Sequence, residues 1–199
     1  MVTILYTYFG QIERIPQIIE QGLPTMIVDD CSSLPLRPLD NIKVLRIIDD
    51  IKWNQPGARN LGFQELDGWV LCCDIDHLVT KEIYEEISKL KLEVGTVYYL
   101  GRHDVTNSKN VYIIHKTDFE KIGGYDEDFS GNYGYDDIHF YKKCIHHLKM
   151  ITLDEIKVNV YANESSSIGN RDANKNAELF TIKKLDSTPR IRFKWEYVK

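Results

Sequence analysis

The stretch WVLCCDIDHLV (Trp69–Val79) decides how this chain folds. An apolar run from Trp69 to Cys73 has the character of a strand buried on both faces, as in a parallel sheet. It ends on two carboxylates one residue apart, Asp74 and Asp76, before the chain turns apolar again. An unpaired carboxylate is costly to bury. A strand ending in this way must therefore deliver its acids to a rim where positive charge meets them. If the strand continues, Asp74 and Asp76 share a side and Ile75 faces away.

Working outward, VTILYTY (Val2–Tyr8), TMIVDD (Thr25–Asp30) and KVLRII (Lys43–Ile48) read as strands. Helices are expected between them: over QIERIPQIIEQG, closed by Gly22, over QPGARNLGFQEL, and over TKEIYEEISKLKL with Thr80 as its N-cap. TVYYLG and NVYIIHK are further strands, YDDIHFYKKCIHHL is a helix, and MITL and KVNVYA are two late strands. The alternation implies an α/β protein with a mostly parallel central sheet flanked by helices. The polar stretch Asn163–Asn176 reads as a long loop of the kind that carries function.

In open α/β sheets ligands bind beyond the carboxyl ends of the strands. Two strands end there in acid pairs, Asp29-Asp30 and Asp74-x-Asp76. A third acidic cluster, YDEDFSGNYGYDD, carries Asp126, Glu127, Asp128, Asp136 and Asp137. Asp-x-Asp at a strand end suits Mn2+ or Mg2+, hard cations that also hold phosphate oxygens.

These segments resemble, in order and along nearly the whole chain, the GT-A glycosyltransferases. The match is to family-2-like inverting enzymes and to the catalytic domain of β-1,4-galactosyltransferases. VDDCSS (Val28–Ser33) is similar to the family's VDDGS, and NQPGARNLGF (Asn54–Phe63) to its ARN-containing helix start. CDID (Cys73–Asp76) resembles the metal-binding Asp-x-Asp. IGGYDEDFSGNYGYDDIHFYKK (Ile122–Lys143) resembles the glycine-rich segment that ends in a Glu-Asp pair, and NRDANKN (Asn170–Asn176) the SRDKKN loop.

The resemblance implies roles for individual residues. Asp29 and Asp30 would meet the base and ribose of a UDP-linked sugar. Arg59 would lie near the donor, meeting phosphate or orienting the neighbouring acids. Asp76 would hold the metal directly, with Asp74 at metal or ribose, and Gly123 and Gly124 would let backbone approach the sugar. Asp137 would act as general base toward a glycan hydroxyl, Asp136 would hydrogen-bond the acceptor, and Tyr133 and Tyr135 would stack on a sugar face. The chain would form one domain over 1–199, with a nucleotide half over about 1–80 and an acceptor half over about 95–199. Two departures stand out. The family's third metal ligand, a His, is replaced by Gly169 after Ile168, so another residue such as His139, or water, would complete the shell. Cys31 replaces the glycine of DDGS, which is tolerable unless the turn needs positive φ.

Read without the resemblance, Asp136-Asp137 is a helix-start acid pair, Asp126–Asp128 a turn, His146-His147 and Lys142-Lys143 a solvated helix face, and His115 a core or rim histidine. Composition narrows the classes. The chain has 199 residues and a net charge of −5, against the basic footprint of a nucleic-acid binder. It has no apolar run of membrane-spanning length. Its N-terminus reads as a strand, and its cysteines lack zinc spacing, so reduced thiols and a cytoplasmic location are expected. A dehydrogenase is excluded because no G-x-G-x-x-G follows the first strand. A nucleotidyltransferase is disfavoured because TYFGQIER carries a single glycine. A non-catalytic nucleotide-sugar or carbohydrate-binding relative is the remaining alternative.

Overall fold

The computed structural model describes residues 1–102, 109–161, 172–186 and 190–199. β1 (Val2–Tyr8) lies at the heart of the sheet, between β2 (Thr25–Asp30) and β4 (Trp69–Asp74), and is parallel to both. β3 (Lys43–Ile47) continues the parallel set beyond β2. On the other side come β7 (Tyr112–His115), antiparallel to β4, then β6 (Thr96–Arg102), then β8 (Lys149–Val160), parallel to β6. Two short antiparallel strands close the edges, β5 (His77–Leu78) on β8 and β9 (Trp195–Tyr197) on β3. The order is β5-β8-β6-β7-β4-β1-β2-β3-β9.

Strand alternation divides the core into two layers. Ile4, Tyr6, Tyr8, Leu71 and Cys73 face one layer, which α1 (Ile15–Gln21) and α3 (Lys81–Ser88) cover with Ile15, Ile18 and Ile87. Leu5, Val70 and Cys72 face the other, covered by α2 (Gln55–Gln64), α4 (Lys116–Lys121) and α5 (Asp136–His147) through Leu61, Phe119 and Phe140. The adjacent cysteines Cys72 and Cys73 thus sit back to back across the sheet, both buried and free. α2 packs unusually close to the sheet. A Cβ on Gly62 would lie 2.3 Å from Leu5 Cδ1, and one on Gly57 2.5 Å from Phe193.

The register sets the rim. Thr7 pairs with Asp74 and Tyr8 with Asp29. The two acid-tipped strands therefore flank the carboxyl end of β1, as the parallel reading of the sequence requires.

Some expectations change. The two late strands MITL and KVNVYA are one strand, β8, with a bulge: Leu100 pairs with Leu153 but Gly101 with Lys157. Gly101 permits this, since a Cβ there would lie 3.0 Å from the Asp154 carbonyl. Of the expected loop at 163–176, residues 163–171 lie outside the described residues, and its end opens α6 (Asn174–Ile182). Lys143, read as solvated, is fully buried. No helix among the described residues is long and apolar enough to cross a membrane.

Candidate active site

The end of β4 is a crowded polar junction. Asp74 Oδ1 accepts from Arg59 Nη2 at 2.7 Å and Gln55 Nε2 at 2.5 Å, and Oδ2 accepts from Asn110 Nδ2 at 2.6 Å. Burial alone would raise its pKa. The Arg59 charge, with these hydrogen bonds, outweighs burial and holds the carboxyl below the ordinary range.

Arg59 has no exposed side-chain surface. α2 carries it under the rim, where Nη1 donates to Tyr125 Oη at 3.0 Å and to Asp137, and Asp136 Oδ2 lies 3.9 Å away. A single guanidinium fork thus links the acid of β4 to the acid pair of α5. The next residue, Asn60, fixes the same junction by imitating a strand edge. Its amide accepts from Tyr125 N–H at 2.9 Å and donates to Tyr125 C=O at 3.0 Å and to Glu127 at 2.9 Å. Glu127 also accepts backbone N–H groups of Arg190, Ile191 and Arg192, tying the C-terminal segment to the site.

Asp136 and Asp137 open α5. The loop before them is held by Asn176, whose Nδ2 donates to the carbonyls of Phe129, Asn132 and Gly134 at 2.8 to 3.0 Å. Asp136 is nearly buried, and its Oδ2 has no hydrogen-bond partner among the described residues. Burial first, and the Asp137 charge second, push its pKa up to about 7. Burial also raises Asp137, against the opposing pull of Arg59. Tyr133 packs on Trp53 with ring centroids 4.7 Å apart, and Tyr135, with φ 67°, packs on Phe180 at 5.2 Å.

Beyond β4 the chain turns through Ile75, which is buried in the core, to Asp76 and His77. Ligand atoms of Asp74, Asp76 and His77 all lie within 4.8 Å of one another. His77 is fully buried. Its Nδ1 is 2.6 Å from Asp76 Oδ1 and 3.3 Å from the Asp74 carbonyl. The other ring nitrogen, His77 Nε2, is buried without a hydrogen-bond partner among the described residues. Two carboxylates and an imidazole clustered in this way fit a divalent cation.

At the end of β2, Asp29 is enclosed. Its oxygens accept from Ser32 N–H at 2.9 Å, Leu36 N–H at 3.2 Å and Arg46 Nη1 at 2.6 Å. Asp30 accepts from Asn54 at 3.2 Å, and burial, with the Asp29 and Asp50 charges, raises it to about 7. The turn does need positive φ, since Cys31 adopts φ 54° where the resembling family has glycine.

Solved structures share this architecture. The catalytic domain of Drosophila β1,4-galactosyltransferase 7, in complex with xylobiose, matches with a TM-score of 0.56 at 15% identity, over 85% of this chain and 71% of that one. S. aureus TarS in complex with UDP-GlcNAc matches with a TM-score of 0.66 at 14% identity, over 85% and 61%. The mannosyltransferase PcManGT from Pyrobaculum calidifontis, in complex with GDP-Man and Mn2+, gives 0.61 at 14%, over 83% and 58%. The fold is GT-A. No protein-family model matches the sequence, and no curated protein sequence matches it.

Within this GT-A fold, Asp74, Arg59, Asp136 and Asp137 come together in one junction, and Asp29 and Asp30 lie two strands away along the same rim. Gly123 and Gly124 have a structural role of their own. They close α4, with Gly123 N–H on Glu120 C=O and Gly124 N–H on Phe119 C=O at 2.9 Å, and their carbonyls receive the buried Lys143 ammonium at 2.8 and 2.6 Å. His139 does not reach the Asp74-Asp76 turn. Its Nε2 is 2.9 Å from the Lys184 carbonyl, and the ring packs on Phe129. Gly169 and Ile168 lie outside the described residues. The sequence reading missed His77, Gln55, Asn110 and the role of Asn176. His77 carried a signal, since it directly follows the second acid, whereas the other three are polar residues that only tertiary contacts single out.

Proposed function

We propose that the chain is an inverting glycosyltransferase that moves a sugar from a UDP-linked donor to a hydroxyl of a glycan acceptor. The observation that supports this reading is the Arg59 bridge, which links Asp74 at the end of β4 to Asp137 at the start of α5. Support also comes from the shared fold, since relatives of that fold have been solved with UDP-GlcNAc and with GDP-Man and Mn2+.

In this reading Asp76, Asp74 and His77 hold Mn2+ or Mg2+, with His77 taking the place of the family's later histidine. Bound there, the cation would offset charge on the departing diphosphate. Asp30 lines the base and ribose end, and the enclosed Asp29 acts there indirectly, shaping the loop through Ser32 and Leu36. Asp137 takes the proton of the acceptor hydroxyl as that oxygen bonds to the anomeric carbon. The bond from that carbon to the diphosphate breaks on the opposite face, inverting the centre. Arg59 holds the Asp137 carboxylate in place, and Asp136 hydrogen-bonds the acceptor. The nucleotide half extends over about 1–80, the acceptor half over about 95–199, and the enzyme works in the cytoplasm.

A thermal-shift screen of UDP- and GDP-sugars with Mn2+, with Mg2+ and with chelator tests this. A ligand that binds the native state alone raises Tm by mass action. One nucleotide-sugar that shifts Tm with metal and not with chelator is expected, and UDP release on adding glycan acceptors follows. A shift independent of metal, or binding without UDP release from any acceptor, would favour the non-catalytic relative.

A further inference from the structure

We infer that Arg14 is a phosphate-binding residue of the cleft, its guanidinium laid on Tyr161 beside the Asp74-Asp76 turn to take oxygens of a nucleoside diphosphate. The inference rests on the donor reading above and extends it to a residue outside every motif of the sequence.

Positive charge near the rim is largely committed elsewhere. Arg46 is held by Asp29 at 2.6 Å, Arg59 by Asp74 and Asp137, and Lys183 by Asp126 and Asp128. Arg14 differs. Among the described residues its ion pair is with Glu13 on the neighbouring position, at 3.7 Å, beyond hydrogen-bond distance, and that glutamate is exposed. Its side chain is largely buried all the same, and its Nε has no hydrogen-bond partner among the described residues.

Its location fits the ligand. Arg14 ends the short 3-10 turn (Ile12–Arg14) that follows the carboxyl end of β1. Its Cζ stands 4.1 Å over the Tyr161 ring. Tyr161, just past β8, donates its backbone N–H to the Asp76 carbonyl at 2.9 Å. The Tyr161 hydroxyl is also buried without a partner among the described residues. A guanidinium N–H and a phenol O–H, each left unsatisfied on two stacked side chains, carry a desolvation cost that is lifted when an anionic oxygen accepts from them. The Asp76 backbone that anchors Tyr161 is also the backbone of the metal-binding turn. Arg14 is thereby coupled to the place where a diphosphate would sit.

The rival role for Arg14 is mechanical, bracing the end of β8 against the β1 turn. The two roles differ in what they do to phosphate against nucleoside. Calorimetric titrations of wild type, Arg14→Gln and Arg14→Lys with UDP and uridine, and with GDP and guanosine, each with Mn2+, separate them. Uridine and guanosine are read by competition. The expected result is that Arg14→Gln weakens the diphosphate by about tenfold or more, leaves the nucleoside unchanged, and flattens the salt dependence, with Arg14→Lys in between. Equal weakening of nucleoside and diphosphate, with a lowered Tm, would overturn the inference in favour of bracing. An unchanged diphosphate affinity would overturn it outright. If wild type binds neither diphosphate with Mn2+, the donor reading itself fails, and the inference with it.

Discussion

Arg59 joins Asp74 to Asp137 from a fully buried position, one guanidinium nitrogen on each carboxylate. The end of β4 and the start of α5 therefore share one cation, and neither acid can shift without loosening the other. Arg59→Lys keeps the charge but loses the fork, so an ammonium reaches one carboxylate and leaves the other, half-buried, without its charge partner. Breaking a fully buried pair costs about 3–5 kcal/mol, and a half-buried one less. We expect the urea midpoint to fall accordingly and transfer to drop together with it. Wild-type stability and rate in the Arg59→Lys variant would show that the bridge is incidental.

Asp137→Asn removes the proposed base while keeping the size of the side chain. Donor binding should be retained and the transfer rate should fall by about 10²–10⁴. Because burial raises Asp137, the acid limb of the wild-type pH–rate profile should lie above the ordinary carboxylate value of about 4. A near-normal rate in Asp137→Asn would move the base to Asp136.

Asp30 gives a stability prediction with a definite sign. Its folded pKa is raised to about 7, against about 4 in an unfolded chain. Between those values the folded state keeps a proton that the unfolded state has lost, so stability declines as pH rises through that window and levels off above it. Asp136, also raised to about 7, acts in the same direction. Asp30→Asn should shallow the decline and leave the variant more stable than wild type at pH 8, by urea denaturation at each pH. A slope unchanged by the substitution would remove Asp30 as its source.

The contact of α2 with β1 is testable through Gly62. A Cβ there would fall 2.3 Å from Leu5 Cδ1, so Gly62→Ala should destabilise by about 1–3 kcal/mol through overpacking. Leu5→Ala removes the clashing atoms at the expense of a cavity. The double variant should lose less than the sum of the two single losses. Strict additivity would show that the helix shifts freely.

Periodicity and acid placement made the fold and part of the site legible. The apolar runs Val2–Tyr8 and Trp69–Cys73 marked central strands because both of their faces are covered. Asp29, Asp30 and Asp74 announced the rim because carboxylates at strand ends have few other places to go. What stayed hidden depends on distant partners. Lys143 looks like any helix lysine until the Gly123 and Gly124 carbonyls are seen around its ammonium. Gly57 and Gly62 look like helix weak points until Phe193 and Leu5 fill the space. β9 is too short to show alternation, and α4 is a single turn and a half that Gly123 and Gly124 terminate. His139, named from the sequence, lies away from the acids, whereas His77, which directly follows the second acid, reaches them.

The central claim is that Asp76 and its neighbours anchor a metal-bound nucleoside diphosphate at the rim of the sheet. Its most direct test is isothermal titration of UDP into wild type and Asp76→Ala, each with Mn2+ and with chelator, after circular dichroism shows that both are folded. The account predicts binding in wild type with Mn2+, none with chelator, and none in Asp76→Ala under either condition. Metal-dependent binding of equal strength in Asp76→Ala, or no binding in wild type with Mn2+ to UDP or to GDP, would contradict it.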